Sequence, residues 1–268
     1  MNTYFTYNGI SSKDILSQEL FIYTFDNTTD ISLLKKEVLR TEKSTKKYNS
    51  RSYGNTYSEN AQITFSIVKD DKSEFTTDEI STVNTWLFEE NDCKLCFYDD
   101  NDTLIDGIYY IGQFNNSTGK TTSGIIAMTL TFECDSQFAY QNIDFSITSA
   151  TSVNKVVNCQ SDIKGIDIYP VYTITPNENA NITIANTTTS KSITFSCQAD
   201  TPFIYNTENG YLLDENNNLI SFNSKGIFNV NDISWISLVR GNNNLTFTGK
   251  FTVDIKAKIP KKVGVPFI

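Results

Sequence analysis

Between residues 61 and 69 the chain reads AQITFSIVK, and its apolar side chains return at alternate positions. Ile63, Phe65 and Ile67 share one face of an extended chain; Gln62, Thr64, Ser66 and Val68 share the other. A period of two marks a half-buried strand and does not fit a helix. The period then changes. Thr76 and Glu79 offer a capping box, and Asp78 and Glu79 place acids where a helix N-terminus favours negative charge. Ile80, Val83 and Leu87, with Trp86 beside them, form one apolar stripe on a helix of about three turns. Burying each is worth roughly 1.5–3 kcal/mol, so the helix must lie on a sheet. Residues 93–98, 108–114 and 125–134 supply three more strands, and the stretch closes in an aromatic knot ending at Tyr140.

Earlier in the chain, residues 4–10 (YFTYNGI) read as a short strand entering an Asn8-Gly9 turn, and residues 20–25 (LFIYTF) as a second. Residues 38–57 are polar and basic with no sustained period, a length of irregular chain that is usually functional or disordered. They hold Lys43, Lys46, Lys47 and Arg51 with Tyr48, Tyr53 and Tyr57. A solvated loop is the plain reading. A solvated linker has little use for aromatics, however, so a projecting arm that docks on something is expected.

After Tyr140 the texture becomes rich in Ser, Thr, Asn and Val, and residues 143–164 read as a linker between domains. Short strands follow at 165–174, 180–185, 190–198, 203–205, 211–213, 219–222 and 233–239. Pro170 marks an edge strand or a bulge. Residues 245–247 and 251–259 read as a closing hairpin about Thr248-Gly249-Lys250, with a basic, then apolar, tail over 260–268. Many short strands separated by Asn- and Gly-rich turns indicate an all-β sandwich. The expected architecture is mainly β, with a sheet-and-helix domain over 1–142 and a β-sandwich over 165–268.

The chain has no histidine, which removes Ser-His-Asp and Cys-His catalysis and His-metal sites. A net charge of −9 argues against gripping nucleic acid. Five cysteines without dense spacing, and an N-terminus unlike a signal peptide, point to folding in a reducing compartment. No window resembles a membrane span. Cys93-x-x-Cys96 falls in a strand-like run, where residues three apart face opposite ways, so structural thiols are expected. Asp99, Asp100 and Asp102 lie in a turn (YDDNDTL). Solvated carboxylates are the plain reading and a calcium site the sharper one. Asp214-Glu215 reads the same way. Ser117–Thr122 echoes the end of a phosphate loop without its upstream glycine. Two facing carboxylates would serve a glycosidase, but abundant acids alone indicate none. No enzyme activity and no cofactor are expected.

Three landmarks occur in order: Phe5-Thr6-Tyr7-Asn8-Gly9-Ile10 with Asp14-Ile15, then Phe132-x-Cys134-x-x-x-Phe138-x-Tyr140, then Gly241-x-Asn243-x-Leu245-x-Phe247. In their order and spacing the chain resembles the distal tail protein family of long-tailed phages. Gln137 stands where many relatives have proline, a departure that bears on the local turn. The resemblance implies an N-terminal belt β-sandwich with one flanking helix, similar to tail-tube proteins, and a C-terminal galectin-like β-sandwich. It implies a homohexameric ring, made in the host cytoplasm and placed at the distal end of the virion's tail. That ring joins the tube protein to the tail-tip hub; the outer domain in some relatives carries receptor-binding proteins or carbohydrate modules. A closed ring needs a heterologous interface, and Lys46, Lys47, Tyr48, Arg51, Tyr53 and Tyr57 of the arm are its candidate residues. An acidic chain also suits a lumen that passes DNA without binding it. The alternative is a carbohydrate-binding tail adhesin using Tyr205, Tyr211 and Trp235 against a host glycan, although Trp235, in ISWISLV, also reads as core.

Overall fold

The structure is a computed structural model that describes residues 3–23, 37–40, 52–56, 60–121 and 124–263. The chain divides into two units, Met1–Tyr140 with Lys261–Ile268, and Gln141–Pro260.

The first unit holds β1 (Tyr4–Tyr7), β2 (Ile10–Ser11), β3 (Leu20–Tyr23), β4 (Glu37–Arg40), β5 (Ser52–Thr56), β6 (Gln62–Lys69), helix α1 (Thr77–Leu87), β7 (Cys93–Tyr98), β8 (Tyr110–Thr121) and β9 (Ile125–Cys134). Seven of these strands form one sheet in the order β2-β1-β7-β8-β9-β6-β3. Its two ends meet. The Ile22 N–H donates to the Thr3 carbonyl at 2.8 Å. The buried Ser12 hydroxyl donates to the Leu20 carbonyl at 2.8 Å and accepts from the Phe5 N–H at 3.4 Å. The sheet is therefore curled on itself, which leaves little open edge. Its concave side is filled by aromatics: Phe5 lies 5.2 Å from Phe65, and Phe114 5.1 Å from Phe132, ring to ring.

The helix forms where its sequence places it. Thr76 and Glu79 make both bonds of a capping box, and Val83, Trp86 and Leu87 are buried. Trp86 stacks on Phe5 with ring centres 5.3 Å apart, and its indole N–H donates to the Tyr7 carbonyl at 3.3 Å. Strand β8 runs past the expected end at Phe114. A bulge after Phe114 shifts its register against β9, and backbone pairing carries the polar NNSTGKT half on to Thr121. Residues 117–121 of the phosphate-loop echo are thus part of a strand. At Gly112 any Cβ would lie 2.0 Å from the Glu133 carbonyl oxygen, so only glycine lets β8 approach β9 there.

The second unit is built from β10 (Ala139–Ser149), β11 (Ser152–Cys159), β12 (Val171–Pro176), β13 (Asn181–Asn186), β14 (Lys191–Ser196), β15 (Phe203–Asn206), β16 (Tyr211–Asp214), β17 (Leu219–Ile220), β18 (Gly241–Thr248) and β19 (Phe251–Lys261). A six-stranded sheet, β10-β19-β12-β15-β16-β17, and a four-stranded sheet, β11-β18-β13-β14, contribute to one apolar core. That core joins Tyr172, Tyr205 and Val253 of one sheet to Ile184, Phe195 and Phe247 of the other, as in a two-layer sandwich.

Four sequence expectations change. Residues 143–164 are not a linker: β10 and β11 lie there, and Ile147, Val157 and Cys159 are core. The closing hairpin is a sheet-to-sheet crossing, since β18 pairs with β11 and β13 while β19 pairs with β10 and β12. Pro170 precedes β12 instead of sitting in it, and its carbonyl accepts from the Thr207 N–H at 3.3 Å. Residues 233–239 are extended but make no ladder beyond one bridge, Ile168 with Leu238. Side chains hold that segment instead: the Tyr205 hydroxyl donates to the Ser234 carbonyl, and the Asn186 amide donates to the Ser237 carbonyl at 2.7 Å.

Candidate functional site

Of the arm expected over 38–57, the described residues 38–40 and 52–56 lie in a ladder. Strands β4 and β5 pair antiparallel, Glu37 with Thr56 and Leu39 with Gly54. The register jumps between Leu39 and Arg40, which leaves Tyr53 as the extra residue of a bulge. Among the described residues this is a sheet of two strands joined to no other. A two-stranded hairpin alone is marginal in water and gains stability by packing on a third element. Val38 and Leu39 leave 36% and 37% of their surfaces exposed. Lys46, Lys47, Tyr48, Arg51 and Tyr57 lie outside the described residues. In the sequence the basic run masks the apolar pair at 38–39, whose signal is two adjacent apolar residues opening a polar stretch.

The three aromatics expected to face a glycan do not make a platform. Tyr205 is fully buried, its ring 5.7 Å from that of Tyr172 and 6.0 Å from that of Trp235. Burial pushes its hydroxyl pKa far above the usual phenol range. Trp235 is half-buried, with Phe222 edge-on at 5.8 Å. Tyr211 is half-buried and its hydroxyl accepts from the Asn206 amide at 3.2 Å. Tyr172, Tyr205 and Trp235 form a stack running from the core outward, and Tyr205 has no face left for a sugar.

The acidic turns close on themselves. The Asp99 carboxylate accepts from the N–H groups of Asn101 and Thr103 at 2.9 and 2.8 Å. The Asp214 carboxylate accepts from those of Asn216 and Asn218 at 2.9 and 2.8 Å. Asp102 and Asn217 take the matching left-handed positions at φ 57° and 62°. Each unit thus uses the same Asp-led turn. Backbone donation by Asn218 holds the Asp214 carboxyl below its ordinary range, and the Lys13 ammonium 2.9 Å from Asp102 does the same there. Among the described residues no three His, Cys, Asp or Glu side chains converge on a cation site. Cys93 packs against the first core while Cys96 is buried outside that cluster, in keeping with opposite faces of β7. Burial raises the Cys96 thiol pKa.

Two mainly β units, a curled sheet carrying one helix and a two-layer sandwich, define the class: a two-domain antiparallel β protein whose β4 and β5 pair only with each other among the described residues. A family model described as "Phage tail protein N-terminal domain" matches residues 1–136, and one described as "Phage tail C-terminal domain" matches residues 138–257. The chain belongs to this family of phage tail proteins, and its place is the tail of the virion. Among solved structures it is similar to the crystal structure of phage SPP1 Dit (gp 19.1), described as a paradigm of the hub adsorption apparatus in phages infecting Gram-positive hosts. The TM-score is 0.61 at 15% identity, covering 96% of this chain and 99% of that one. Comparison with curated proteins gave no match. Among the described residues no helix is long and apolar enough to cross a membrane.

Proposed function

We propose that this chain is a distal tail protein: copies of it close into a hexameric ring that joins the tail tube to the tail-tip hub and offers attachment for receptor-binding proteins. The observation that carries the reading is the β4–β5 hairpin, which pairs only with itself among the described residues and shows Val38 and Leu39 to solvent. Exposed apolar side chains on an unsupported ladder are stabilised when a neighbouring copy supplies the missing layer. The fold shared with the SPP1 hub protein and the family membership support the same reading. An acidic chain of net charge −9 fits a ring whose lumen passes DNA, because carboxylates do not hold phosphate.

Mass photometry of the purified chain across a concentration series, with negative-stain microscopy, tests this. The expected result is a ring species that Val38→Glu with Leu39→Glu converts to monomer without loss of secondary structure. A parent protein that stays monomeric at high concentration and is missing from the tips of assembled tails would overturn the reading.

A further inference from the structure

The C-terminal end of α1 carries charge of the wrong sign. A helix ends in unpaired carbonyls and favours cations there. Here the last turn holds no basic residue, and the chain runs on through Phe88, Glu89, Glu90, Asn91 and Asp92, all exposed. The acids extend onto the sheet. The Gln113 amide donates to the Asp92 carboxylate at 3.0 Å, and Gln113 lies opposite Glu133 across β8 and β9. Glu133 in turn accepts from the Asn115 amide at 2.9 Å. Among the described residues none of these four carboxylates has an ion-pair partner, and the neighbouring Lys94 ammonium is held over the Tyr109 ring at 4.1 Å.

Two buried oxygens at this end of the helix also lack donors. The Tyr7 hydroxyl, on a residue with no exposed surface, has no hydrogen-bond partner. Burial first, and then the Cys93 thiol, Glu89 and Asp92 near it, push its pKa far above the usual phenol range, which sets the hydroxyl under the patch. The Asn84 side-chain oxygen, one turn before Phe88, is buried without a partner. Both oxygens can accept; a positive group with several N–H donors would complete them.

We propose that this patch receives the basic run of residues 43–51 from a second copy of the chain. That run sets Lys43, Lys46, Lys47 and Arg51 around Tyr48, four positive charges for four negative ones, and Phe88, 43% exposed, offers Tyr48 an apolar contact. A lysine ammonium brings three N–H donors to the carboxylates and the unpartnered oxygens. A divalent ion does not suit the patch, since among the described residues no three acids converge, and nucleic acid is repelled by it. The contact rests on the ring reading, because a heterologous interface is what sets one copy's arm against the next copy's helix. Charge of this kind orients the arm and speeds its capture, while the aromatic contact holds it.

Charge exchange tests it. Lys46→Glu with Lys47→Glu reverses the arm, and Glu89→Lys with Glu90→Lys reverses the patch. Each double variant alone is expected to assemble about tenfold or more weakly than the parent in mass photometry, with far-UV circular dichroism unchanged. Mixed in equal amounts, the two are expected to assemble together, since each arm then meets a patch of opposite sign. On the arm-reversed chain, a synthetic peptide of residues 41–53 is expected to bind and to move the indole N–H signal of Trp86, which donates to the Tyr7 carbonyl, and not that of Trp235. Rings that form equally well from the patch-reversed chain, with no peptide binding, would overturn the proposal and leave the ring reading standing. A parent that never assembles, while the peptide binds it and not the patch-reversed chain, would overturn the ring reading and support the patch as the arm's receiver. Two weakened variants that fail to rescue each other on mixing would place the arm on its own chain's patch and overturn the second-copy assignment.

Discussion

The ammonium of Lys69, only 3% exposed, lies 3.0 Å from the Glu79 carboxylate, which also accepts the Thr76 N–H at 2.7 Å and so closes the cap of α1. One carboxylate therefore neutralises a buried cation on β6 and starts the helix. Glu79→Gln keeps an acceptor for Thr76 but leaves Lys69 without a counter-charge. The expected cost is about 2–4 kcal/mol in urea unfolding, most of it recovered by adding Lys69→Met.

The same carboxylate sets an acid limb. Donation from the Thr76 backbone, chiefly, and from Lys69 lowers the Glu79 pKa below its ordinary 4.5. A lowered folded pKa contributes stability that is complete above the unfolded value and lost as pH falls through the folded one. The urea midpoint of the parent is expected to fall below about pH 4.5 more steeply than that of Glu79→Gln. Equal slopes would show that the pair does not contribute.

Tyr172 and Tyr205 stack at 5.7 Å, yet they differ in one respect: the Tyr205 hydroxyl reaches the Ser234 carbonyl and the buried Tyr172 hydroxyl has no hydrogen-bond partner. Removing an unpartnered buried hydroxyl relieves a desolvation cost. Tyr172→Phe is expected to leave stability unchanged or raise it by about 1 kcal/mol, while Tyr205→Phe lowers it by about 1–2 kcal/mol. Hydrogen exchange over 233–239 should quicken in the second variant alone.

How much of this was legible follows from where each segment's hydrogen bonds go. The helix and β6 were readable because local pattern and cap agree: Thr76, Glu79 and the Val83–Leu87 stripe say one thing. The β10–β11 region reads as a linker because Ser and Thr dominate its composition, although Ile143, Phe145 and Ile147 alternate with Asp144, Ser146 and Thr148. The run ISWISLV alternates as a strand should, but its carbonyls are taken by Tyr205 and Asn186 side chains, and no sequence period reports that. The sheet-to-sheet crossing at Gly249 and the burial of Tyr205 depend on partners distant in the chain. The acidic patch at the end of α1 emerges only once β8 and β9 are set in register, which brings Glu133 beside Gln113 and Asp92.

For the arm, aromatic and apolar side chains should outweigh charge. An exposed ion pair made by Arg51 is worth about 0–1 kcal/mol, whereas a buried aromatic contributes more. Tyr48→Ala with Tyr53→Ala is expected to shift the assembly equilibrium toward monomer in mass photometry, and Arg51→Ala to shift it less. The reverse order would assign the contact to electrostatics and make it salt-sensitive.

Asn243 gives one landmark of the family resemblance a physical reason. It is fully buried, and its amide donates to the Val239 and Gly241 carbonyls at 2.7 and 3.0 Å. Its side-chain oxygen accepts from the Val239 N–H at 2.9 Å and from the Asn186 amide at 3.1 Å. Asn243 therefore pins the turn that brings residues 233–239 into β18, replacing the ladder that segment lacks. Asn243→Ala would strand the part-buried Val239 and Gly241 backbone groups and the buried Asn186 amide, so a loss of about 2–3 kcal/mol is expected by urea unfolding. Asn243→Asp should not rescue it, because a carboxylate cannot donate to Val239 and Gly241. A small loss in both variants would mean that the ladder between β11 and β18 holds this turn without its asparagine.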